Sequence, residues 1–326
     1  MIIVTGGAGF IGSNLVRGLN RRGLDDVLIV DDLELGEKHL GLNSLRFTDF
    51  VDFRDFEQRL DDFATCPIEA VFHQGACSDT LERDGRYMLR VNYEYSKKLL
   101  AFALGRCPFL YASSASVYGN GENGFREETE CERPLNVYAF SKFLFDRHVR
   151  GVLPSASTQV VGLRYFNVFG PQENHKGRMA SVVFKFHRQI AENGRLEVFA
   201  GSGDFLRDFV YVDDAVDLNL WFLDRPEKSG VFNCGTGRAE SFEALARETA
   251  KHYPKARIVE IPFPNELAGK YQAFTRADLT RLRAAGYERE FSSLADGVAA
   301  YVKVLVSSDG YHLAPAEPSG PTHGRS

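Results

Sequence analysis

The sequence predicts an α/β protein built on a doubly wound parallel sheet, with a smaller α/β lobe formed mainly by its later half. Three observations indicate this fold class. Short apolar runs alternate with amphipathic stretches through the first half of the 326 residues. A glycine-rich loop directly follows the first apolar run, and the alternation changes after Gly170-Pro171. Alternating strands and helices form parallel sheets whose two faces are both covered.

Five apolar runs are predicted to be strands of this sheet. They are rich in Val, Ile and Phe, as strands buried on both faces are. These runs are Ile2–Thr5, Val27–Asp31, Ala70–His73, Phe109–Ser113 and Val160–Arg164. The stretches between them have helical periodicity at Asn14–Arg22, Tyr87–Leu104 and Lys142–Arg150.

The later half is predicted to supply the smaller lobe. Helical patterns at Met179–Asn193 and Ser292–Leu305 flank a short strand at Val198–Phe199. Between them, Ser241–Phe263 has the pattern of a helix followed by a strand. We expect some of these later segments to return to the main sheet.

Four boundaries follow from these patterns. We assign residues 1–170 to the first domain and residues 171–306 mainly to the lobe, with about 208–235 returning to the first domain. The segment 307–326 is polar and rich in Pro, Gly and Ser. That composition predicts a disordered tail.

Composition and charge argue against several kinds of partner. A net charge of −5 disfavours nucleic acid as the main partner. The opening MIIVTGGAGFIG already looks like a strand and its loop, so we expect no signal peptide, and no apolar run is long enough to cross a membrane. Five cysteines without paired spacing indicate reduced thiols in a cytoplasm. The eight histidines are scattered, so we expect no metal site.

The loop Gly6-Gly7-Ala8-Gly9-Phe10-Ile11-Gly12 predicts dinucleotide binding. Glycines at positions 6, 9 and 12 permit a tight turn, close approach of the backbone to a pyrophosphate, and close helix–strand packing. The N-terminus of the next helix offers N–H groups to the phosphates. Asp31 ends the second strand about twenty residues later, where a carboxylate can bind a ribose hydroxyl. Strand, loop, helix and acid together predict a Rossmann domain.

Tyr138 and Lys142 form a Y-x-x-x-K pair at a predicted helix start. A spacing of four places both side chains on one helical face. A tyrosine has a pKa near 10, and a nearby ammonium or a positive helix end can stabilise its phenolate. Ser114 and Ser116 lie at the end of the preceding strand, where a hydroxyl can donate to a substrate oxygen. The pair alone occurs by chance on many helices, so its position after the glycine loop and the serine strand decides the interpretation.

Together these segments resemble the extended short-chain dehydrogenase/reductase family. The resemblance also rests on Asn92 within Val91-Asn92-Tyr93, on Arg164–Pro171 and on Arg207–Asp214. It covers residues 1 to about 215, and members of the family mostly modify nucleotide sugars. The resemblance implies a bound nicotinamide cofactor, NADP or alternatively NAD, in contact with Gly6, Gly9, Phe10, Ile11, Gly12, Asp31, Asp32, Lys38, Phe53, Gln74, Gly75, Ala76, Cys77, Ser78, Asn92, Tyr138, Lys142, Val168 and Lys176.

A second set of segments resembles one subgroup of that family, whose members invert C6″ of an ADP-linked heptose used for lipopolysaccharide. These segments are His73–Ser78, Ser141–Asp146, His175–Gly177, Gly235–Phe242 and Tyr271–Thr275, which extend the resemblance to about residue 300. This resemblance implies a small-molecule ADP-heptose substrate, a transient 6″-ketone, internal return of the hydride, and a homo-oligomer, specifically a pentamer. Gln74 departs from the subgroup, which carries an acid there, and Asp32 departs from its Asn.

The resemblance also implies residue roles. Inversion needs proton transfer on two sides, assigned to Tyr138 and Lys176, with Lys142 and Ser114 completing the catalytic set. Without the resemblance, Lys176 in its polar loop would be interpreted as a solvated surface residue. The positions implied to bind the ADP-sugar are Ser114, Ser116, Asn167, Arg178, Lys185, Phe199, Ala200, Gly201, Ser202, Arg207 and Tyr271.

Arg207 is chemically the best diphosphate ligand of that set, because its fork can bind two oxygens. The alternative is a salt bridge between Arg207 and the neighbouring Asp208.

Cofactor preference depends on three residues. Asp31 and Asp32 form an acidic pair that should repel a 2′-phosphate and bind a 2′-hydroxyl. Lys38 stands where family members use a lysine on that phosphate. We favour NADP because Lys38 is present.

Two alternatives to membership of this subgroup stay open. One is a UDP-hexose 4-epimerase or a dehydratase, although the first would not need a base at Lys176 and the second would typically carry an acidic pair beside Ser114. The other is a non-catalytic NADP(H)-binding sensor or scaffold, which often lacks the tyrosine or the lysine.

Overall fold

Thirteen strands and ten α-helices form within residues 1–264 and 272–317, the part of the chain that the computed structural model describes. The strands are β1 (Ile2–Thr5), β2 (Val27–Asp31), β3 (Asp49–Asp52), β4 (Ala70–His73), β5 (Phe109–Ser114), β6 (Val160–Tyr165), β7 (Asn167–Phe169), β8 (Arg195–Phe199), β9 (Leu206–Arg207), β10 (Phe209–Tyr211), β11 (Gly230–Cys234), β12 (Glu240–Ser241) and β13 (Arg257–Ile261). The helices are α1 (Phe10–Arg21), α2 (Phe53–Gln58), α3 (Gly85–Leu89), α4 (Tyr95–Ala103), α5 (Val137–Val152), α6 (Val182–Asn193), α7 (Val212–Leu223), α8 (Phe242–Ala250), α9 (Thr280–Ala284) and α10 (Leu294–Ser308).

Seven of the strands form one parallel sheet in the order β11-β6-β5-β4-β1-β2-β3. The chain moves from β1 outward to β3, then returns to the other side of β1 with β4. The strand order therefore reverses between β1 and β4, and doubly wound folds bind ligands at the carboxyl ends of the strands at such a point. The predicted doubly wound parallel sheet is confirmed.

Alternate side chains of β1 enter two separate cores. Ile2 and Val4 pack with residues of α1 and α7, while Ile3 packs with residues of α4 and α5. Each fully buried aliphatic side chain contributes about 1.5–3 kcal/mol. Because both faces of the sheet are covered in this way, the ends of β1, β4 and β5 are held in fixed positions.

β3 was not among the predicted strands. Asp49–Asp52 reads DFVD, and its residues are only partly buried because the strand lies at the edge of the sheet beside β2. A strand covered mainly on one face carries no continuous apolar run.

A third core holds the lobe together. It includes Val183 of α6, Leu196 of β8, Leu245 of α8 and Val298 and Tyr301 of α10. β8 pairs with β13, while β7 pairs with β10 and β9 with β12 between the lobe and the sheet.

One segment within 171–306 packs against the main sheet. Leu282, Tyr287 and Phe291 belong to the core under α1 and α7, where Tyr287 packs edge-on against Trp221. α9 contacts β11, the last strand of the main sheet. This segment therefore covers the sheet rather than the lobe.

The predicted disorder of 307–326 is wrong for the part that the structure describes. α10 continues to Ser308, and Ala316 is only 1% exposed. Arg17 Nη1 donates to the Ala314 carbonyl at 2.8 Å, and Arg46 Nη1 donates to the Ala316 carbonyl at 3.0 Å. Composition misled here, because the anchoring acceptors are backbone carbonyls. Residues 318–326 lie outside the described residues.

Across 1–264 and 272–317, no helix is both long enough and apolar enough to span a bilayer.

Candidate active site

A cleft of about 880 Å³ opens between the ends of β1, β4 and β5 and the lobe. Most of the residues singled out from the sequence line it. These are Gly6, Gly9, Phe10, Ile11, Gly12, Asp31, Asp32, Lys38, Phe53, Gln74, Gly75, Ala76, Cys77, Ser78, Ser114, Ser116, Tyr138, Lys142, Asn167, Val168, Lys176 and Arg207.

The glycine loop is shaped by close backbone contacts. Gly6 has φ +68°, and a Cβ atom there would lie 2.5 Å from the Gly75 nitrogen. A Cβ on Gly12 would overlap the Gly6 carbonyl. Gly9 occupies the N-cap position of α1, and glycine has no side chain with which to cap the first turn. The helix N-terminus thus suits a phosphate, and the loop fits the predicted dinucleotide.

Asp31, Asp32 and Lys38 form one ionic cluster at the end of β2. Lys38 Nζ lies 2.6 Å from Asp31 Oδ1 and 3.2 Å from Asp32 Oδ1. The other oxygen of Asp31 accepts from the Ala8 N–H at 2.8 Å. Burial raises the pKa of Asp31, and Lys38 opposes that shift. The acidic pair and the lysine therefore neutralise one another in part rather than acting separately on a ribose.

Tyr138 and Lys142 lie one turn apart on α5. Asn136 caps this helix by accepting from the Ala139 N–H at 2.8 Å, which starts the helix just before the tyrosine. Lys142 is 5% exposed, its Nζ donates to the Ala112 carbonyl at 2.9 Å, and burial lowers its pKa to about 8.

The pKa of Tyr138 differs from the sequence-based expectation. Burial raises this pKa, and a hydrogen bond with Ser114 opposes the rise. Lys142 directs its Nζ to the backbone of β5 rather than to the tyrosine. Ser116 Oγ donates to Ser114 Oγ at 2.8 Å, so the two hydroxyls form a short chain toward the tyrosine.

A buried group of charged and polar side chains, centred on Asp146, was not identified from the sequence. Asp146, one turn beyond Lys142, accepts from Ser113 Oγ at 2.8 Å, Tyr111 Oη at 2.9 Å and Arg164 Nε at 2.9 Å. Its spacing of four from Lys142 was a usable signal, since it continues the face of the Y-x-x-x-K pair.

Lys176 lies on the lobe side of the cleft. Its Nζ is 4.8 Å from the centroid of the Phe10 ring and 4.0 Å from Glu173 Oε2. Burial lowers the pKa of Lys176, while Glu173 raises it. The cleft therefore has a tyrosine–lysine pair from the sheet domain and a third titratable group from the lobe.

Asn92 does not line the cleft. It is buried, its Oδ1 accepts from the Cys77 N–H at 2.8 Å, and its Nδ2 donates to the Cys77 carbonyl at 2.9 Å. The same Nδ2 lies 3.1 Å from Ser141 Oγ on α5. Asn92 thus holds the loop after β4 beside α5. It lies behind the cleft lining, whereas the family resemblance implies that it contacts the cofactor.

The predicted substrate residues divide into two groups. Asn167 and Arg207 line the cleft with the two serines. Outside its lining lie Arg178, Lys185, Phe199, Ala200, Gly201 and Ser202. Tyr271 lies outside the described residues.

Arg178 is exposed, pairs with Asp79, and lines a shallow groove beside the cleft. Lys185 Nζ donates to the Arg178 carbonyl at 2.9 Å. Arg207 donates to the carbonyls of Leu206 and Gln272. Asp208, the alternative partner of Arg207, is buried and accepts from backbone N–H groups that include Thr236 at 2.7 Å.

Several further cleft residues carry polar groups and were not identified from the sequence. They include Arg54, Tyr87 and His175. Burial lowers the pKa of His175 to about 4. Arg54 follows Phe53 directly and pairs with Glu34. His175 lies next to Lys176 in the segment His175–Gly177, which carries the subgroup resemblance. Arg54 and Tyr87 belong to no motif.

A Rossmann sheet, a glycine loop at the reversal of strand order and a tyrosine–lysine pair beside it define a nicotinamide-dependent enzyme class. The model of the NAD dependent epimerase/dehydratase family matches residues 2–235, and the chain belongs to that family. It is 55% identical over 316 residues, 95% of this chain and 99% of the relative, to an ADP-L-glycero-D-manno-heptose-6-epimerase of Brachyspira hyodysenteriae.

Solved structures give the same family. The structure is similar to the Helicobacter pylori ADP-L-glycero-D-manno-heptose-6-epimerase, with TM-score 0.80, 28% identity, and coverage of 94% of this chain and 96% of that chain. It is also similar to the Thermus thermophilus UDP-glucose 4-epimerase complex with NAD, with TM-score 0.78, 27% identity, and coverage of 94% and 99%.

Proposed function

We propose that this protein inverts C6″ of ADP-D-glycero-D-manno-heptose to give ADP-L-glycero-D-manno-heptose, a heptose donor for lipopolysaccharide. The observation that carries the proposal is the pair of titratable groups, Tyr138 and Lys176, that enter one cleft from different domains. The 55% identity to an enzyme of that name supports the substrate.

Inversion requires proton transfer on two sides of the same carbon. A base on one side takes the proton of the 6″-hydroxyl as the C–H bond breaks, which gives a 6″-ketone. An acid on the other side protonates the oxygen when the hydride returns to the opposite face. Lys176 is suited to one of these tasks because burial lowers its pKa toward neutral pH. Tyr138 is suited to the other by its position in the cleft beside Ser114, although burial raises its pKa.

A nicotinamide cofactor, when bound, supplies the hydride acceptor and hydride donor for this reaction. The glycine loop and the N-terminus of α1 would bind its pyrophosphate, and Asp31 its adenosine ribose. Lys142 would bind the nicotinamide ribose and keep a positive charge near Tyr138. We propose NADP as the preferred cofactor, with Lys38 on the 2′-phosphate, and NAD as the alternative.

Substrate binding falls to residues of the lobe and of β5. Arg207, buried beside Phe242 at the cleft wall, would bind the diphosphate through its fork. Asn167, Ser114 and Ser116 would bind sugar hydroxyls. Lys185, Arg178 and 199–202 would contact only parts of the ADP that extend beyond the cleft.

Assembly and location are also proposals. We propose a cytoplasmic homo-oligomer, a pentamer by family resemblance. Free thiols support a reducing compartment, since Cys66 is exposed and the other four cysteines are unpaired.

The decisive experiment offers the purified protein ADP-D-glycero-D-manno-heptose and UDP-glucose separately, with product stereochemistry determined by NMR. We expect inversion of the ADP-heptose alone. Inversion of UDP-glucose would instead make this a hexose 4-epimerase, and bound cofactor without turnover of either sugar would make it a non-catalytic binder.

A further inference from the structure

Glu173 is a buried carboxylate beside the proposed second base. Its side chain is 0% exposed, and its Oε2 lies 4.0 Å from Lys176 Nζ. The Lys176 N–H also donates to the Glu173 carbonyl at 3.0 Å, so the two residues face each other across one turn of the loop. A buried charge of this kind requires a partner or several hydrogen bonds.

Three donors hold that carboxylate in place. Oε2 accepts from the Ser181 N–H at 2.7 Å, and Oε1 accepts from Ser181 Oγ at 2.5 Å. Oε1 also accepts from Tyr301 Oη at 2.9 Å. Ser181 caps α6, and Tyr301 belongs to α10, so two helices of the lobe fix the carboxylate from different directions.

The rest of the surroundings disfavours a charged lysine. Lys185 faces Lys176 from α6 and lowers its pKa, while His175 lies beside it with its own pKa lowered to about 4. Lys38 and Asp32 lie beyond His175, and the Phe10 ring covers the ammonium from α1. Glu173 is the anion that opposes burial and the neighbouring cation.

We propose that Glu173 is the positioning residue for Lys176: its fixed carboxylate holds the ammonium toward the cleft and keeps Lys176 able to donate a proton near neutral pH. This inference rests on the proposed function, in which Lys176 is the second acid–base group. Glu173 itself does not line the cleft, because Ser181, Tyr301 and Lys176 surround it.

The test is Glu173→Gln, which keeps the shape of the side chain and removes its charge. Reactivity of Lys176 toward an amine-acylating reagent is measured against pH by mass spectrometry of its peptide. An opposite charge at this distance shifts a pKa by about one unit or more. We therefore expect the midpoint of Lys176 labelling to fall by about one pH unit, and the kcat profile to move in the same direction with KM nearly unchanged.

Glu127→Gln is the matched control. Glu127 is also a buried carboxylate, held by the Asn233 N–H at 2.7 Å, and it does not line the cleft. This control should leave the labelling midpoint and the kcat profile unmoved. Glu173→Asp, which restores the charge, should return the midpoint most of the way to that of the native protein.

Unchanged labelling in Glu173→Gln overturns the proposal. Labelling needs no substrate, so a shifted midpoint in a protein inactive on ADP-heptose refutes only the proposed function. If Glu173→Gln does not fold, the double variant with Lys176→Met decides. Recovery of its thermal unfolding midpoint supports charge pairing, and continued unfolding overturns it.

Discussion

The two walls of the cleft are built in different ways. Tyr138 and Lys142 lie on α5, where four-residue spacing alone places them on one face. Lys176 lies in an irregular loop whose anchors come from distant parts of the chain. Gln172 in this loop has φ +74°, its N–H donates to the Gly310 carbonyl at 2.8 Å, and Asn174 Nδ2 donates to the Asp309 carbonyl at 2.7 Å. One wall is thus determined by local helix geometry, the other by long-range contacts.

The largest effect should come from removing either proposed base. Tyr138→Phe should lower kcat by at least about 100-fold, the lower range for loss of an acid–base group. Lys176→Met should cause comparable loss while leaving cofactor binding nearly intact, because the backbone of the glycine loop and the N-terminus of α1, which would bind the pyrophosphate, do not depend on this side chain. Steady-state kinetics and titration with cofactor measure the two effects.

If Lys176→Met keeps wild-type turnover, the lobe wall of the cleft contributes no acid–base group. The lobe wall would then serve only to bind substrate. Ser155→Ala, an exposed change outside the cleft lining, serves as the kinetic control.

The second-largest effect is the contribution of Lys142 to the pH dependence of the protein's free energy of unfolding. Burial lowers its pKa from 10.5 to about 8, so between these values the unfolded chain binds more protons than the folded chain. The free-energy cost of burying the charge therefore has its full value below about pH 8, and it disappears above the ordinary pKa of 10.5. Relative to Lys142→Met, the cofactor-free native protein should gain about 2 kcal/mol between pH 7 and pH 9.5.

Urea unfolding of both proteins at both pH values measures this gain. A stability difference that does not vary with pH would mean that Lys142 stays charged across the range. Its carbonyl contact at Ala112 would then offset burial more than we expect.

A third effect concerns the cofactor end of the first wall. Lys38→Ala should weaken NADP⁺ binding by at least about tenfold, or about 1.4 kcal/mol, and NAD⁺ binding much less. Asp32→Asn should strengthen NADP⁺ binding, because it removes one of the two carboxylates around Lys38. Dissociation constants of the stripped protein for both dinucleotides measure these changes. If the native protein prefers NAD⁺ and Lys38→Ala does not change that preference, the acidic pair Asp31 and Asp32 determines the choice of cofactor.

The smallest effect should be at the mouth, where the two walls meet. Asp79, on the loop after β4, pairs with Arg178 on the lobe loop. Because Arg178 is exposed, a double-mutant cycle with alanine should give less than about 1 kcal/mol of coupling in urea unfolding. High salt should reduce that coupling further. Coupling well above this value would mean that the pair holds the cleft shut.

The sheet could be predicted because its signals are local. Ile2–Thr5 and Val27–Asp31 were placed at their observed bounds, since each is a short apolar run beside a loop. β3 and the packing of 309–317 could not be predicted, because one is a partly exposed edge and the other is anchored through backbone carbonyls.

The site follows the same rule. The glycine loop and the tyrosine–lysine pair have fixed spacings, and the structure brings them to one cleft. Glu173 had no such signal, because Tyr301, which fixes it, lies 128 residues away. Asn92 matched a motif, yet its contacts with Cys77 and Ser141 could be learned only from the folded chain.

The loop before α6 has a further consequence for the order in which a newly made chain can become competent. Strands β1 to β6 and α5 are translated before the loop that carries Lys176, and they already contain Tyr138 and Lys142. That loop lacks its anchors until Tyr301 and the carbonyls of Asp309 and Gly310 have also been synthesised. A nascent chain can thus assemble the wall that faces the dinucleotide well before the opposite wall acquires its shape. Completion of the cleft therefore waits until the chain has been synthesised through Gly310.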